Sequence, residues 1–217
     1  MKRPKAAFDV DDAGEGLIKL PCWAGFRQGS GGEPSEGEVD LTVGGDGADK
    51  KIRPAHEAAH RYALERAARM QAVVLDALLA ELPRLTERLP PGTVPPLEDR
   101  DALRDLVSLE GVHLHHAERG GVAYVGYQLG CAWDREHGLG VMTHRERVVE
   151  VGRADTAIVG WIAEQDRDGT LGTAPREPAR EPTVRKPKPK PVAEAVKPAE
   201  PPAKAAKPAT VKKRPAR

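Results

Sequence analysis

From Ala174 to Arg217 the chain carries 13 lysine or arginine residues against 4 glutamates, with 11 of its 20 prolines and no aromatic side chain. Such a stretch cannot bury enough apolar surface to offset the conformational entropy lost on ordering, so it is expected to be a disordered basic tail. What precedes it has the opposite sign. Residues 1–173 hold 21 basic and 29 acidic residues, a net of −8 that the tail's +9 turns into the +1 of the whole chain. The sequence is therefore read as one folded acidic domain over residues 1–165, long enough for an ordinary core, followed by a basic Pro/Lys/Ala-rich tail over 166–217.

Targeting signals are not expected. The opening MKRPKAAFDVDD is basic, but Asp9, Asp11 and Asp12 interrupt any apolar run of the kind a secretory leader needs. No stretch approaches the roughly 20 apolar residues of a spanning helix. Cys22 and Cys131 are too few for a disulfide framework, and each sits in an apolar context, LPCW and LGCAW. They read as reduced, buried thiols of a cytoplasmic protein with no membrane contact.

Periodicity gives the elements. Residues 17–21 and 38–43 read as short strands, the second alternating polar and apolar up to the GGDG stop at 44–47. Pro54 opens the longest helix, where a missing N–H costs nothing. Ala63, Ala67, Met70, Val74, Ala77 or Leu78, and Leu82 recur at three and four, one apolar stripe, with Pro83 at the end of the helix. Pro90, Pro91, Pro95 and Pro96 make a rigid linker, and 99–107 reads as a second, short helix capped by Asp99 or Asp101. Strands follow at 112–115, 122–129, 138–144 and 147–151, with Gly120-Gly121 as a hairpin turn, and a last short helix at 157–164. The order predicts an α+β fold: a mostly antiparallel sheet with one long and one or two short helices packed on one face.

The densest chemistry lies in LGCAWDREHGLGVM, residues 129–142, where Trp133, Asp134, Glu136 and His137 fall within five residues. An aspartate, a glutamate and a histidine this close have the donors for a metal or for proton transfer. The same residues also suit a turn: Trp133 anchors it in the core, and Asp134 braces backbone N–H groups. The run 122–157 resembles a family of uncharacterised bacterial domains of unknown function. Its marks here are Trp133, Asp134, Glu136, His137, Gly138, Leu139, Gly140 and Val141, then Arg147, Val148, Val149, Glu150, Gly152, Ala154, Asp155 and Thr156. LPCWAGF and VLDALLAEL look like the same family, so the resemblance spans roughly 8–157. It implies one domain and hands over no reaction.

His56-Glu57-Ala58-Ala59-His60 matches H-E-x-x-H, in which two histidines one helical turn apart bind zinc and the glutamate acts as base. It sits behind Pro54 in a first turn, and no third-ligand signature follows, so His56 and His60 are read as solvent-facing residues of a helix start. His113 and His115 share one face of a strand and read as an exposed pair. Asp9 to Gly14 and Glu164 to Gly169 have the look of calcium loops without the closing acid at position twelve, and read as acidic turns. In the tail, Lys186, Lys188, Lys190, Lys212, Lys213 and Arg214 suit weak, salt-sensitive contact with phosphates, without an aromatic residue for base stacking.

The expectation is a non-enzymatic binding or interaction domain. Trp133, Asp134, Glu136 and His137 would face a protein or small ligand, with no catalytic residue assigned and no cofactor or metal. The alternatives are a metal-dependent hydrolase built on His56/His60 or on Asp134/Glu136/His137, and nonspecific nucleic-acid association through the tail.

Overall fold

In the computed structural model, which describes residues 8–47, 49–87 and 89–172, side-chain alternation decides which way each strand faces. In β2 (Glu38–Val43), Val39, Leu41 and Val43 are buried while Glu38 and Asp40 are exposed. β1 (Glu15–Lys19) does the same, burying Ile18 between exposed Leu17 and Lys19. Four longer or later strands complete one sheet: β3 (Val107–Arg119), β4 (Val122–Cys131), β5 (Leu139–His144) and β6 (Arg147–Gly152). Their spatial order is β1-β2-β3-β4-β5-β6. Every neighbouring pair is antiparallel except β2 and β3. That parallel pair is the one whose connection is long, because a parallel crossover needs a helical return.

The return is α1 (Pro54–Glu65) and α2 (Ala67–Thr86). The single long helix read from the periodicity is thus two, broken at Arg66, whose φ of −113° and ψ of 18° leave the helical range. The apolar stripe crosses the break and stays on one side: Ala63, Met70, Val74 and Leu78 are all buried. Pro83 does not end α2 but lies inside its last turn, where it removes the N–H that would bond the Leu79 carbonyl and the helix closes three residues later at Thr86. The expected helix at 99–107 is only a single 3-10 turn, Asp101–Leu103, after which β3 begins.

α1 packs on β3 and β4, and α2 on β5 and β6, over a core holding Leu41, Val112, Leu114, Tyr127, Leu129 and Val141. Burying such side chains stabilises by about 1.5–3 kcal/mol each. The helices do not all take this face. α3 (Asp155–Ile158) and α4 (Gly160–Asp168) cover the opposite one, where Tyr124, Met142, Ile162 and Ala163 form a second, smaller core. The expectation of helices on one side fails because odd- and even-numbered residues of β4 are buried alike, as a strand covered on both faces requires. Gly126 makes the second layer possible: a methyl there would overlap the Ala157 carbonyl, so only glycine lets α3 lie this close to β4. α4 runs to Asp168, so ordered structure continues past residue 165. Residues 173–217, which hold most of the expected tail, lie outside the described residues. No described helix is long and apolar enough to cross a membrane.

Candidate functional site

The connection between β4 and β5 contains the WDREHG segment, and its hydrogen bonds are those of a braced turn. The Asp134 carboxylate accepts from the His137 backbone N–H at 3.2 Å and from the His137 ring Nδ1–H at 2.8 Å. Its own carbonyl accepts the Gly138 N–H at 2.9 Å and the Cys131 thiol at 3.4 Å. The His137 carbonyl takes the Ala154 N–H at 3.1 Å, tying the turn to the start of α3. Trp133 packs against the main core, while Arg135, Glu136 and His137 are exposed. Of the four expected binding residues, then, two support the turn and two are presented at its tip.

Beside it lies the loop from Ala24 to Ser35. Arg135 donates to the Gln28 carbonyl at 3.3 Å, and the Gln28 side-chain amide donates to the Glu110 carboxylate on β3. The Gln28 amide rests over Gly130, where a methyl would overlap it. Arg27 pairs with Asp105 at 2.7 Å. Gln28 thus joins the turn to the second face of the sheet.

That face is only partly covered, since α3 and α4 pack on β3 to β6. Over β1, β2 and the adjoining stretch of β3 the strand register places exposed residues side by side. Lys19 lies opposite Glu38 and Leu17 opposite Asp40, with Asp40 in register with the buried Gly111 of β3. Leu17 is 58% exposed. Glu15, Glu38, Asp40 and Glu110 are carboxylates of this surface, and Lys19 is the one cation among its strand positions. His113 closes the patch on the covered side: Thr42 Oγ1 donates to its Nδ1 at 2.5 Å, and its Nε2–H donates to Gln128 Oε1 at 2.9 Å. Sequence reading missed this surface. Its only signal was the polar phase of the β2 alternation, which looks like any solvated face.

The histidines depart most from expectation. His56 and His60 are buried, not solvent-facing, because they extend the stripe that α1 turns to the sheet. The His60 ring lies 4.9 Å from that of Phe8. His56 Nδ1 accepts the Arg53 backbone N–H at 3.1 Å, so its proton stays on Nε2. A metal-ligating histidine keeps one nitrogen for the metal while the other donates, whereas here the Arg53 N–H occupies the nitrogen that would be free. No group of three or more His, Cys, Asp or Glu among the described residues is arranged to hold a metal ion. The two proposed sets, His56/His60 and Asp134/Glu136/His137, stand on separate elements. Desolvation pulls His56 down to about 4, with the His116 ring adding to the effect.

His113 and His115 do share a face, but both are buried rather than exposed, under Gln128 and α3 respectively. Burial pulls His115 down to about 4, and its Nδ1 has no hydrogen-bond partner. Cys22 and Cys131 are free, with Cys22 half-buried; desolvation pushes Cys131 up to about 11, as suits an inert thiol. Around Asp9–Gly14 the acids form a turn in which the Asp11 carboxylate accepts the Ala13 and Glu15 N–H groups, both at 2.9 Å. Glu164 to Asp168 form no turn but the last part of α4, where Asp166 binds the Tyr124 hydroxyl at 2.6 Å and the Arg147 guanidinium. The tail residues Lys186, Lys188, Lys190, Lys212, Lys213 and Arg214 lie outside the described residues.

No curated protein and no solved structure matches the chain. One family model does match it, a domain of unknown function, DUF6985, over residues 29–158. That span takes in β2 through α3, with the WDREHG turn and the two-layered helix packing, and leaves out β1 and α4. The chain belongs to the DUF6985 family.

Proposed function

We propose that this chain is a non-catalytic binding domain that takes an extended, basic protein segment on the uncovered part of its second sheet face, with Glu136 and His137 at the tip of the adjoining turn. The observation that carries this reading is the chain of contacts from Arg135 through Gln28 to Glu110, which makes the turn and the carboxylate-bearing face one continuous surface. Glu15, Glu38, Asp40 and Glu110 around the exposed Leu17 suit a cationic partner with an aliphatic side chain. Complementary charge of this kind speeds encounter and selects partners more than it deepens affinity. Trp133 and Asp134 serve by holding the turn.

The test is a short peptide alternating lysine and threonine around one central leucine, titrated against wild type and a Glu38→Lys/Asp40→Lys variant. Both substituted positions are exposed, so the fold should survive. Binding at low salt weakened about tenfold in the variant supports the reading. Equal binding by both proteins, or none by wild type, overturns it.

The sequence favours a second reading for the segment 174–217, where 13 cations meet 4 glutamates: weak, sequence-independent attachment to nucleic acid. A comparison of the full chain with a 1–173 truncation on duplex DNA tests it. Affinity that is equal at low salt discards it.

A further inference from the structure

We propose that residues 1–7, MKRPKAA, are a built-in occupant of the acidic sheet face: Lys2, Arg3 and Lys5 settle among Glu15, Glu38 and Asp40, and must leave before a basic partner binds. The proposal rests on the reading of that face as a binding surface and supplies its regulation. The segment carries three cations and no acid. It joins the described fold beside the face. Val10 forms an antiparallel bridge to Gly16, and the Asp11 N–H donates to the Glu15 carbonyl at 2.8 Å, so the chain runs along the open edge of β1. The two stretches lie close, since a methyl on Gly16 would overlap the Asp9 carbonyl. Phe8 packs against the main core beside His60 and anchors the point of entry.

Direction and phase follow from that bridge. Carried back in the same antiparallel register, Asp9 falls beside Leu17 and Phe8 beside Ile18, so the chain before Phe8 heads toward Lys19 and its neighbour Glu38. Phe8 and Val10 pack on the main core, while Asp9 is exposed. An extended continuation therefore gives the odd positions, Arg3 and Lys5 among them, the phase of Leu17 and the second face. Pro4 favours such backbone at Arg3. Reach is ample: seven residues span up to about 23 Å, against about 5 Å from β1 to β2. The helices of this face, α3 and α4, pack on β3 to β6 and leave the carboxylates of β1 and β2 open. Charge selects the seat. Glu15, Glu38 and Asp40 are exposed around Leu17, with Lys19 the one cation among the strand positions there. Each such ion pair is weak in water, but a tethered segment meets the face at an effective concentration that a free partner does not reach.

The test compares the full chain with its Lys2→Ser/Arg3→Ser/Lys5→Ser variant, each also on the Glu38→Lys/Asp40→Lys background. Without any peptide and at low salt, the triple substitution should move the backbone amide shifts of Leu17, Glu38 and Asp40. The movement should fade on the lysine background, and at about 1 M salt, where screening acts within about 3 Å. Shifts confined to Phe8–Asp12, or equal on both backgrounds, overturn the proposal. The lysine–threonine peptide carrying one leucine then reads the regulation. It should bind the triple variant about fourfold more tightly than wild type, the factor expected if the segment covers the face about three-quarters of the time. Equal affinity for the two overturns the regulatory role. A peptide that binds neither protein removes the binding reading and that role together, whereas the peptide-free amide comparison decides the seat of the segment by itself.

Discussion

The Asp134 carboxylate binds His137 twice, through the backbone N–H at 3.2 Å and through the ring Nδ1–H at 2.8 Å. One side chain thus closes the β4–β5 turn and fixes the histidine's tautomer. The chemistry that a carboxylate and an imidazole advertise in sequence is spent, for Asp134, on conformation. Replacing Asp134 by alanine should cost about 1–2 kcal/mol, as for other buried or half-buried capping carboxylates. His137→Ala should cost less than about 1 kcal/mol, since the ring is exposed and its backbone bond survives. Urea unfolding of both variants checks the order.

The close seat of α3 predicts a sharp asymmetry between two glycines on one sheet face. Gly126→Ala would drive a methyl into the Ala157 carbonyl, whereas a methyl at Gly111 meets nothing nearer than 3.4 Å. The first substitution should destabilise by about 2–4 kcal/mol and the second by less than about 1 kcal/mol. Denaturation midpoints decide this, and equal losses at both sites would contradict the packing of α3.

Acid should unfold this protein earlier than its carboxylates alone would dictate. Burial lowers His56, His60, His113, His115 and His144, with His56 and His115 reaching about 4 from 6.5. These folded-state values lie below the unfolded value, so the unfolded chain binds more protons between the two. The histidine contribution to stability is therefore complete above about pH 7, falls as pH drops through 6.5, and for His56 and His115 levels only below about 4. At pH 5 the loss is about 2 kcal/mol for each of His56 and His115. Chemical denaturation at pH 8, 6.5 and 5 reads it; a flat profile over that range would contradict the burial of these rings.

Much of this architecture was legible from residue patterning. The alternation at Val39, Leu41 and Val43 and the Gly120-Gly121 turn place β2 and the β3–β4 hairpin where they are found. The second helical layer was not legible, because α3 has only four residues and its seat depends on the absence of a side chain at Gly126, a contact 31 positions away in sequence. His56 and His60 were misplaced for a related reason. Local polarity argues for solvent, but both fall on the stripe that Ala59 and Ala63 turn toward the sheet, and tertiary packing overrides the local preference. The WDREHG segment was found at once as a cluster. Its division into supporting and presented residues needed the hydrogen bonds.

The reading as a binding domain is most directly tested by backbone amide chemical shifts of the wild-type chain during titration with the lysine–threonine peptide carrying one leucine. The account predicts that the shifts concentrate on Leu17, Asp40, Glu110 and Gln28 and extend to His137. Shifts confined to α1 and α2, or no shifts at saturating peptide, would contradict it.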